Sequence, residues 1–535
     1  MDQIWSILFL KKYLVRFLTI CYNKVRLFLG GIMKKRNIFA TIVLTAFLLT
    51  SCGSADKKDS ADNSDKPLRV AMFTEIDSLD PFNATAGDTK TIMDQVFDGL
   101  FDVDEDGKLV PDLCDSYEVS EDGLTYDFKL KEGVKFHNGK DFTADDVYYT
   151  YDALAGLSSG EPKSSNFSQI ESLDIVSANE IKVKLKEKSN SFIFLNTQPI
   201  IQKDYEDNET KPIGTGPFEF VSYTPGEGMK LKRFDDYHNK DHIAKFENVE
   251  ILRIADRQSL VMAMNNKEVD LASVLTADEL DQIGDSCDIY SSAQNLVQLL
   301  ALNNEVAPFD NEKVREAVNY AIDKDEIIET AADGKASKLY SAFSPALKDY
   351  YNDLGETYPY DVDKAKELLK EAGYEDGFDL KITVPSDYKY HMDTAELIQA
   401  QLGKVGINVT LDPIEFSTWL TKVYKEKDYQ ASVCGFIGYV DPIRVLDRYV
   451  STNEKNFINY KNDDFDNDIE SAIKADSDED LANNIKDAQE IMAKDAASVF
   501  LTDPDNNQAL NNELTGLKSY PVQKLNLEDI EEKND

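Results

Sequence analysis

The 535 residues carry 58 Lys and Arg against 99 Asp and Glu, a formal net charge of −41 at pH 7, with 42% hydrophobic residues. The length allows several domains and the apolar share allows a large core. So negative a surface repels phosphate backbones and anionic headgroups, which argues against nucleic-acid binding and electrostatic membrane docking, and for a soluble, outward-facing monomer. The cysteines, Cys21, Cys52, Cys114, Cys287 and Cys434, are far apart in sequence. They form no C-x-x-C pair, so inert buried thiols are expected in the body rather than a metal or redox motif.

The N-terminal region divides in two. Met33-Lys34-Lys35-Arg36 is basic, Ile38 to Leu49 is a short apolar run, and Leu49-Thr50-Ser51-Cys52 follows at once. This order describes a secretory signal over residues 33–51, too short for an ordinary transmembrane helix. Its end resembles a bacterial lipobox, which makes Cys52 the expected lipidation site and mature N-terminus. Residues 1–32 are interrupted by Lys11, Lys12, Arg16, Lys24 and Arg26, each costing about 2.5–3.5 kcal/mol at a bilayer centre. They read as translated upstream sequence, because Leu29-Gly30-Gly31 can be encoded by codons containing a ribosome-binding sequence just before Met33. Residues 1–51 are therefore leader. Residues 52–66 hold almost no large apolar side chain and are expected to form a flexible tether that holds the body off the membrane.

The body opens with a strand from Leu68 to Phe73. Short strands with turns at Asp106-Gly107 and Asp122-Gly123 fill the stretch from Phe101 to Lys140. Thr143 to Tyr151 reads as a helix capped by Thr143, with Asp145 and Asp146 in its first turn. Glu180 to Lys186 alternates strictly, as a half-exposed strand does. In the later chain helix and strand patterns take turns. Asp361 to Ala372 is an amphipathic helix ended by Gly373, Leu380 to Val384 a strand, Asp393 to Val405 a helix ended by Gly406, and Ile407 to Leu411 a strand. Such alternation favours a sheet with helices on its faces, and ligands bind beyond the carboxyl ends of such strands.

Four blocks carry a family resemblance. Leu130-Lys-Glu-Gly-Val-Lys-Phe-His137-Asn-Gly continues into Phe142-Thr-Ala-Asp-Asp-Val147. Ile213-Gly-Thr-Gly-Pro-Phe218 is followed by Val221-Ser-Tyr-Thr-Pro-Gly226 and Leu231-Lys-Arg-Phe-Asp-Asp-Tyr237. Pro308 to Arg315 with Ala321-Ile-Asp-Lys324, and Ala365 to Tyr374, complete the order. The chain thereby resembles the large peptide- and nickel-type (family 5) extracellular solute-binding proteins of ABC importers. The resemblance implies an α/β fold of two lobes, a type II periplasmic-binding-protein-like fold of the large cluster C form, with an additional small mostly-β domain. The expected limits are 67–100 for the first part of lobe I, 101–205 for the small inserted domain, 206–296 for the second part of lobe I, 297–498 for lobe II, and 499–535 for the return to lobe I and the tail. The two crossings between lobes are placed near Leu296 to Asn303 and near Ala497 to Thr502. Gly214 and Gly216 are expected to serve turns.

Motifs that suggest other chemistry have simpler readings. Gly156-Leu-Ser158-Ser-Gly160 has the letters of a hydrolase elbow but follows a helix and enters a polar loop. Asp102-x-Asp104-x-Asp106-Gly107 begins like a calcium loop, but Leu113 stands where the bidentate acid belongs, so it reads as a hairpin turn. His238 and His242 could share a helical face, but Asn239, Lys240 and Asp241 disfavour helix there. No catalytic residue, cofactor or metal is assigned.

The expected function is capture of small peptides, or alternatively of a nickel chelate or another small organic solute, and delivery to ABC permease subunits from the outer face of a bacterial cytoplasmic membrane, with the lipid as the sole membrane contact. Scarce His and Met in the candidate loops disfavour a soft-metal site. Thr74, Glu75 and Asp77 follow the first strand on the ligand side of this fold, Asn295 precedes the first crossing, and Tyr388, Tyr390, Trp419, Phe436 and Tyr439 offer aromatic walls or core packing. Peptide binders of the family often place an acid three positions before an Asp-Pro pair; here the pair is Asp441-Pro442 and that position is Gly438. Asp441 is the candidate substitute for holding an ammonium, and equally a helix cap with Pro at the first helical position.

Overall fold

A computed structural model describes residues 66–533. The leader, Cys52 and the tether up to Asp65 lie outside these residues.

The first lobe is organised by the strand Leu68–Met72, which buries Leu68, Val70 and Met72 on one face. It pairs in parallel with Asn248–Arg253 on one side and with Leu271–Ala272 on the other. The sheet runs Cys287–Ala293, Thr502–Asn511, Leu271–Ala272, Leu68–Met72, Asn248–Arg253, Gly228–Arg233, Phe218–Thr224. Arg69, on the opposite face from Leu68, donates from Nε and Nη2 to the buried Asp270 carboxylate at 2.8 and 2.7 Å, and its backbone N–H adds a third bond at 3.0 Å. Asn511 donates to the same carboxylate at 3.2 Å, so one acid ties three strands that are distant in sequence.

The second sheet runs Asn408–Ile414, Asp379–Pro385, Ala431–Ile437, Leu296–Leu302, Val499–Phe500. Helices cover both of its faces, so its central strand is apolar on both. Leu299 and Ala301 pack toward Trp419, Phe457 and Phe465, while Leu300 and Leu302 pack toward Val314, Ile398 and Leu402. The helix Val362–Glu371 starts at Asp361, whose carboxylate accepts the Lys364 N–H at 2.9 Å, and it gives way to Gly373 in the left-handed region. The helix Lys389–Gly403 begins a turn earlier than its sequence pattern suggests. The two-lobed α/β architecture expected from the sequence is therefore present.

The small domain is an antiparallel sheet ordered Cys114–Val119, Thr125–Leu130, Glu180–Leu185, Ile170–Ser177. Ile181, Val183 and Leu185 are buried, while Lys182 and Lys184 pair across strands with Asp127 and Glu171. The helix Ala144–Ala155 carries the capping box that Thr143 and Asp146 announce, the Thr143 N–H donating to Asp146 at 2.8 Å. Ser158 lies just past the end of this helix and donates to Asp152 at 2.8 Å. Asp104 accepts the N–H groups of Asp106 and Lys108 at 3.0 and 2.9 Å, closing the hairpin between Phe101–Val103 and Leu109–Pro111.

Gly214 and Gly216 flank the bend at Thr215 and also let two backbones touch. The Gly216 N–H donates to the Val96 carbonyl at 3.0 Å, and a Cβ at Gly214 would strike that carbonyl, so the backbones touch. His137 holds the same segment, contacting the Gly216 carbonyl at 3.0 Å and accepting the Gly214 N–H at 3.3 Å; burial lowers its pKa to about 4.

The chain leaves the first sheet for the second through Gln294-Asn295, with Asn295 at φ +59°, and returns through Leu501. The small domain touches the second lobe directly. Lys188 pairs with Asp476 at 2.6 Å, and Asn190 donates to the Ile473, Ala472 and Ala475 carbonyls at 3.0, 3.1 and 2.9 Å, capping the end of the helix Asp463–Ile473.

The Asp270 cluster yields a stability prediction. Removing Arg69 leaves a carboxylate buried without its close counter-charge. Arg69→Ala is expected to cost about 3–5 kcal/mol, measured by urea unfolding, and a loss below about 1 kcal/mol would show that the pair does not hold the sheet together.

Candidate functional site

A cavity of about 670 Å³ lies where the two lobes and the small domain meet. The first lobe contributes the segment from Pro81 to Asp98 and the C-terminal return around Lys524, the small domain contributes Lys163, Phe167 and Phe194, and the second lobe contributes Gly438, Tyr439, Val440, Asp441 and Arg444. The last group follows the carboxyl end of the strand Ala431–Ile437, where α/β sheets commonly bind ligands.

The cavity wall carries six carboxylates, Asp94, Asp98, Asp102, Asp112, Asp441 and Glu528, against four cations, Lys90, Lys163, Arg444 and Lys524. Three of the cations are engaged. Lys524 pairs with Asp102, the Arg444 guanidinium lies 4.0 Å from the Tyr439 ring centre, and Lys163 lies 5.3 Å from that of Phe82.

Asp441 caps the helix Pro442–Leu446: its Oδ1 accepts the N–H groups of Ile443 and Arg444 at 3.0 and 3.4 Å. The residue is 2% exposed and its Oδ2 has no hydrogen-bond partner. Burial raises its pKa to about 7, while nearby Ser191 and Arg444 work the other way.

Tyr439 and Asp441 are the sequence-derived candidates on the cavity wall. Asn295 supports them from behind: its carbonyl accepts the Gly438 N–H and its Nδ2 donates to the Tyr439 carbonyl at 3.4 Å. A Cβ at Gly438 would strike the Asn295 side-chain amide, so a larger residue there would require Asn295 to move.

The remaining candidates have local partners. Thr74 donates to Asp88 at 2.8 Å. Glu75 accepts from Tyr223 and from the Gly226 N–H, and pairs with Arg253 at 2.9 Å. Asp77 accepts from the Thr85 hydroxyl and N–H and the Ala86 N–H at 2.6, 2.8 and 3.0 Å; burial pushes its carboxyl up, but these donors outweigh it and hold the group below the ordinary range. Trp419 is buried, stacked on Phe416 and donating to Ser432 at 2.9 Å. Phe436 packs in the same cluster beneath Arg448. Tyr388 is exposed with its ring edge-on to Phe416, and the Tyr390 hydroxyl bonds Thr502 at the return crossing at 2.7 Å.

Sequence reasoning missed Lys90, Asp98, Asp112, Phe194 and Lys524 on the wall. They belong to segments that meet only in the fold. Arg444 had a usable signal, since it stands in the first turn after Asp441-Pro442. His238 and His242 share no helical face: His238 contacts Asp98 and Asp112, and His242 contacts Asp529.

Residues 108–457 match the profile of the bacterial extracellular solute-binding proteins, family 5 middle region. The chain belongs to this family. The family is one of solute binding and transport rather than catalysis; its members bind small peptides or other solutes and work with ABC permeases. This family 5 protein is 28% identical over 487 residues to the glutathione-binding protein GsiB of Pectobacterium atrosepticum, covering 87% of this chain and 94% of the relative. Its structure superposes on the ABC transporter substrate-binding protein CtaP of Listeria monocytogenes with a TM-score of 0.79, at 26% identity, covering 88% of this chain and 99% of that one. DppA of Helicobacter pylori, solved in complex with the peptide STSA, gives a TM-score of 0.72 at 26% identity, covering 88% and 98%. No described helix is long and apolar enough to cross a membrane.

The buried carboxylates set a pH dependence. Burial raises Asp441 and Asp503 from 3.8 to about 7 in the folded protein. Between those values the folded state keeps protons that the unfolded chain has released, so this stabilisation is complete below about pH 4 and is lost as pH rises through about 7. The protein is therefore expected to melt at a higher temperature near pH 5 than near pH 8 in calorimetry, and Asp441→Asn should flatten the difference. A melting temperature that climbs steadily from pH 5 to pH 8 would contradict the assignment.

Proposed function

We propose that this family 5 protein is a lipid-anchored extracytoplasmic receptor that captures short peptides between its lobes and presents them to an ABC permease. The observation that carries the reading is the cavity between the lobes, with the Asp441 carboxyl on its wall beyond the carboxyl end of the strand Ala431–Ile437. Its volume of about 670 Å³ falls within the roughly 300–1,000 Å³ typical of small-solute sites, which favours short peptides over long ones. DppA, solved with a tetrapeptide, supports peptide as the solute class. The acidic balance of the wall suits a cationic end, and Asp441 would accept the peptide ammonium through Oδ2 while Oδ1 keeps the helix cap. Tyr439 and Phe194 supply apolar surface that accommodates side chains of varied identity. The lobes would close about the two chain crossings, Gln294-Asn295 and Leu501.

Asp441→Asn separates the two roles, because Asn caps a helix about as well as Asp but carries no charge. The variant is expected to fold normally and to lose about 1.5–3 kcal/mol of affinity for peptides with a free amino end, measured by calorimetry near pH 8 where the wild-type carboxylate is ionised. N-acetylated peptides should bind both forms with equal weakness. If the affinity is unchanged and acetylated peptides bind as well as free ones, the amino end is not held by Asp441.

The anchor is tested at Cys52. Cys52→Ser is expected to move the protein from the membrane fraction to the aqueous phase of a detergent partition. Retention equal to wild type would remove the lipid anchor from the proposal.

A further inference from the structure

We propose that Asp98, Asp112 and His238 form a binding site for one divalent transition-metal cation, with zinc the best fit, on the wall of the interlobe cavity. The inference is independent of the peptide reading, since it rests on a different set of residues.

The three ligands come from three segments. Asp98 follows the helix Gly87–Met93, Asp112 follows the strand Leu109–Pro111, and His238 follows the strand Gly228–Arg233. His238 Nε2 lies 3.2 Å from Asp98 Oδ2 and 3.3 Å from Asp112 Oδ1, and the three donor atoms all fall within 4.8 Å of one another. In a tetrahedral zinc site with bonds near 2.0 Å, adjacent ligand atoms stand about 3.3 Å apart. One imidazole nitrogen beside two carboxylate oxygens is a borderline set that suits zinc or a neighbouring first-row ion.

The backbone under each ligand is pinned. Asp98 gives its carbonyl to the Ile200 N–H at 2.9 Å, the Asp112 N–H donates to Leu100 at 3.0 Å, and the Tyr237 N–H donates to Phe234 at 3.1 Å. The side chains of His238 and Asp98 are only 4% and 6% exposed.

Protein groups do not satisfy this constellation. A single Nε2–H can be directed at one carboxylate, and the geometry meets hydrogen-bond criteria only toward Asp98. Among the described residues, Asp98 Oδ1 accepts no hydrogen bond, and Asp112 has His238 as its one ion-pair contact. Lys524, the cation on this side of the cavity, is committed to Asp102 and to the Val103 carbonyl. Buried Asp98 and half-buried Asp112 face one imidazole nitrogen and keep further oxygens free, and both line the cavity, so a fourth position would open toward it. Three protein ligands with an open fourth position is the arrangement of zinc sites that meet a further ligand.

The test uses the mature protein, stripped with chelator and titrated with Zn²⁺ and with Co²⁺. One equivalent is expected to bind, with the visible absorption of four-coordinate Co²⁺. An anomalous difference map at the zinc edge should show a peak within bonding distance of His238 Nε2. His238→Gln and Asp112→Asn should each weaken binding by about 100-fold or more. The map requires no variant, so the proposal stays testable if a substitution impairs folding. Absence of stoichiometric binding, or zinc located only elsewhere, overturns it.

Discussion

Asp503 holds the two chain crossings with one buried carboxylate. It stands at the start of the strand Thr502–Asn511, where the chain has just returned to the first lobe, and its Oδ1 accepts the Leu296 N–H at 3.0 Å, where the chain first leaves that lobe. Ser344 of the second lobe donates to its other oxygen. One carboxylate thus ties together two crossings that are 207 residues apart in sequence, and Ser344 joins them from the second lobe. A carboxylate bonded to a backbone N–H and a buried hydroxyl is held in place more firmly than one paired with a mobile lysine. Everything at the cavity is set by that placement: Asn295, fixed in the left-handed region beside Asp503, carries the Gly438–Tyr439 loop, and Asp441 follows within three residues.

The same logic explains why the cavity wall is costly to build. Buried carboxylates are unfavourable unless donors or cations meet them. Asp77 takes three local donors on Oδ2 and belongs to the scaffold. Asp441 is half met, and Asp98 and Asp112 are met by one imidazole between them. Asp441, Asp98 and Asp112 all lie on the cavity wall, where a ligand can complete them. The overall negative charge of the chain keeps the surface soluble, whereas the wall acids are placed one by one by the fold.

Much of the scaffold was legible as periodicity. The alternation over Glu180 to Leu185 put Ile181, Val183 and Leu185 inside, and the cap at Thr143 and the amphipathic pattern from Asp361 marked helix starts within a residue. The apolar run of Leu296–Leu302 was harder to place: burial on both faces removes alternation, and the crossing itself is carried by Gln294-Asn295 just ahead of it. Gly214 and Gly216 looked like turn residues, and they also serve close approach to the Val96 backbone, a second use that nothing local announces.

The sequence by itself determined the fold class, the acidic character and the family, because these rest on local spacing and on motifs contiguous in the chain. Only the tertiary structure decided which aromatic and acidic residues face the cavity. Trp419 and Tyr439 are equally plausible as walls on paper; packing put the first among Phe416 and Phe457 and left the second at the opening. Asp98, Asp112 and His238 have no common signature in sequence, since they belong to separate strands and turns. Their meeting depends on which segments the two sheets bring to one edge. That is a property of long-range pairing, which residue spacing does not encode.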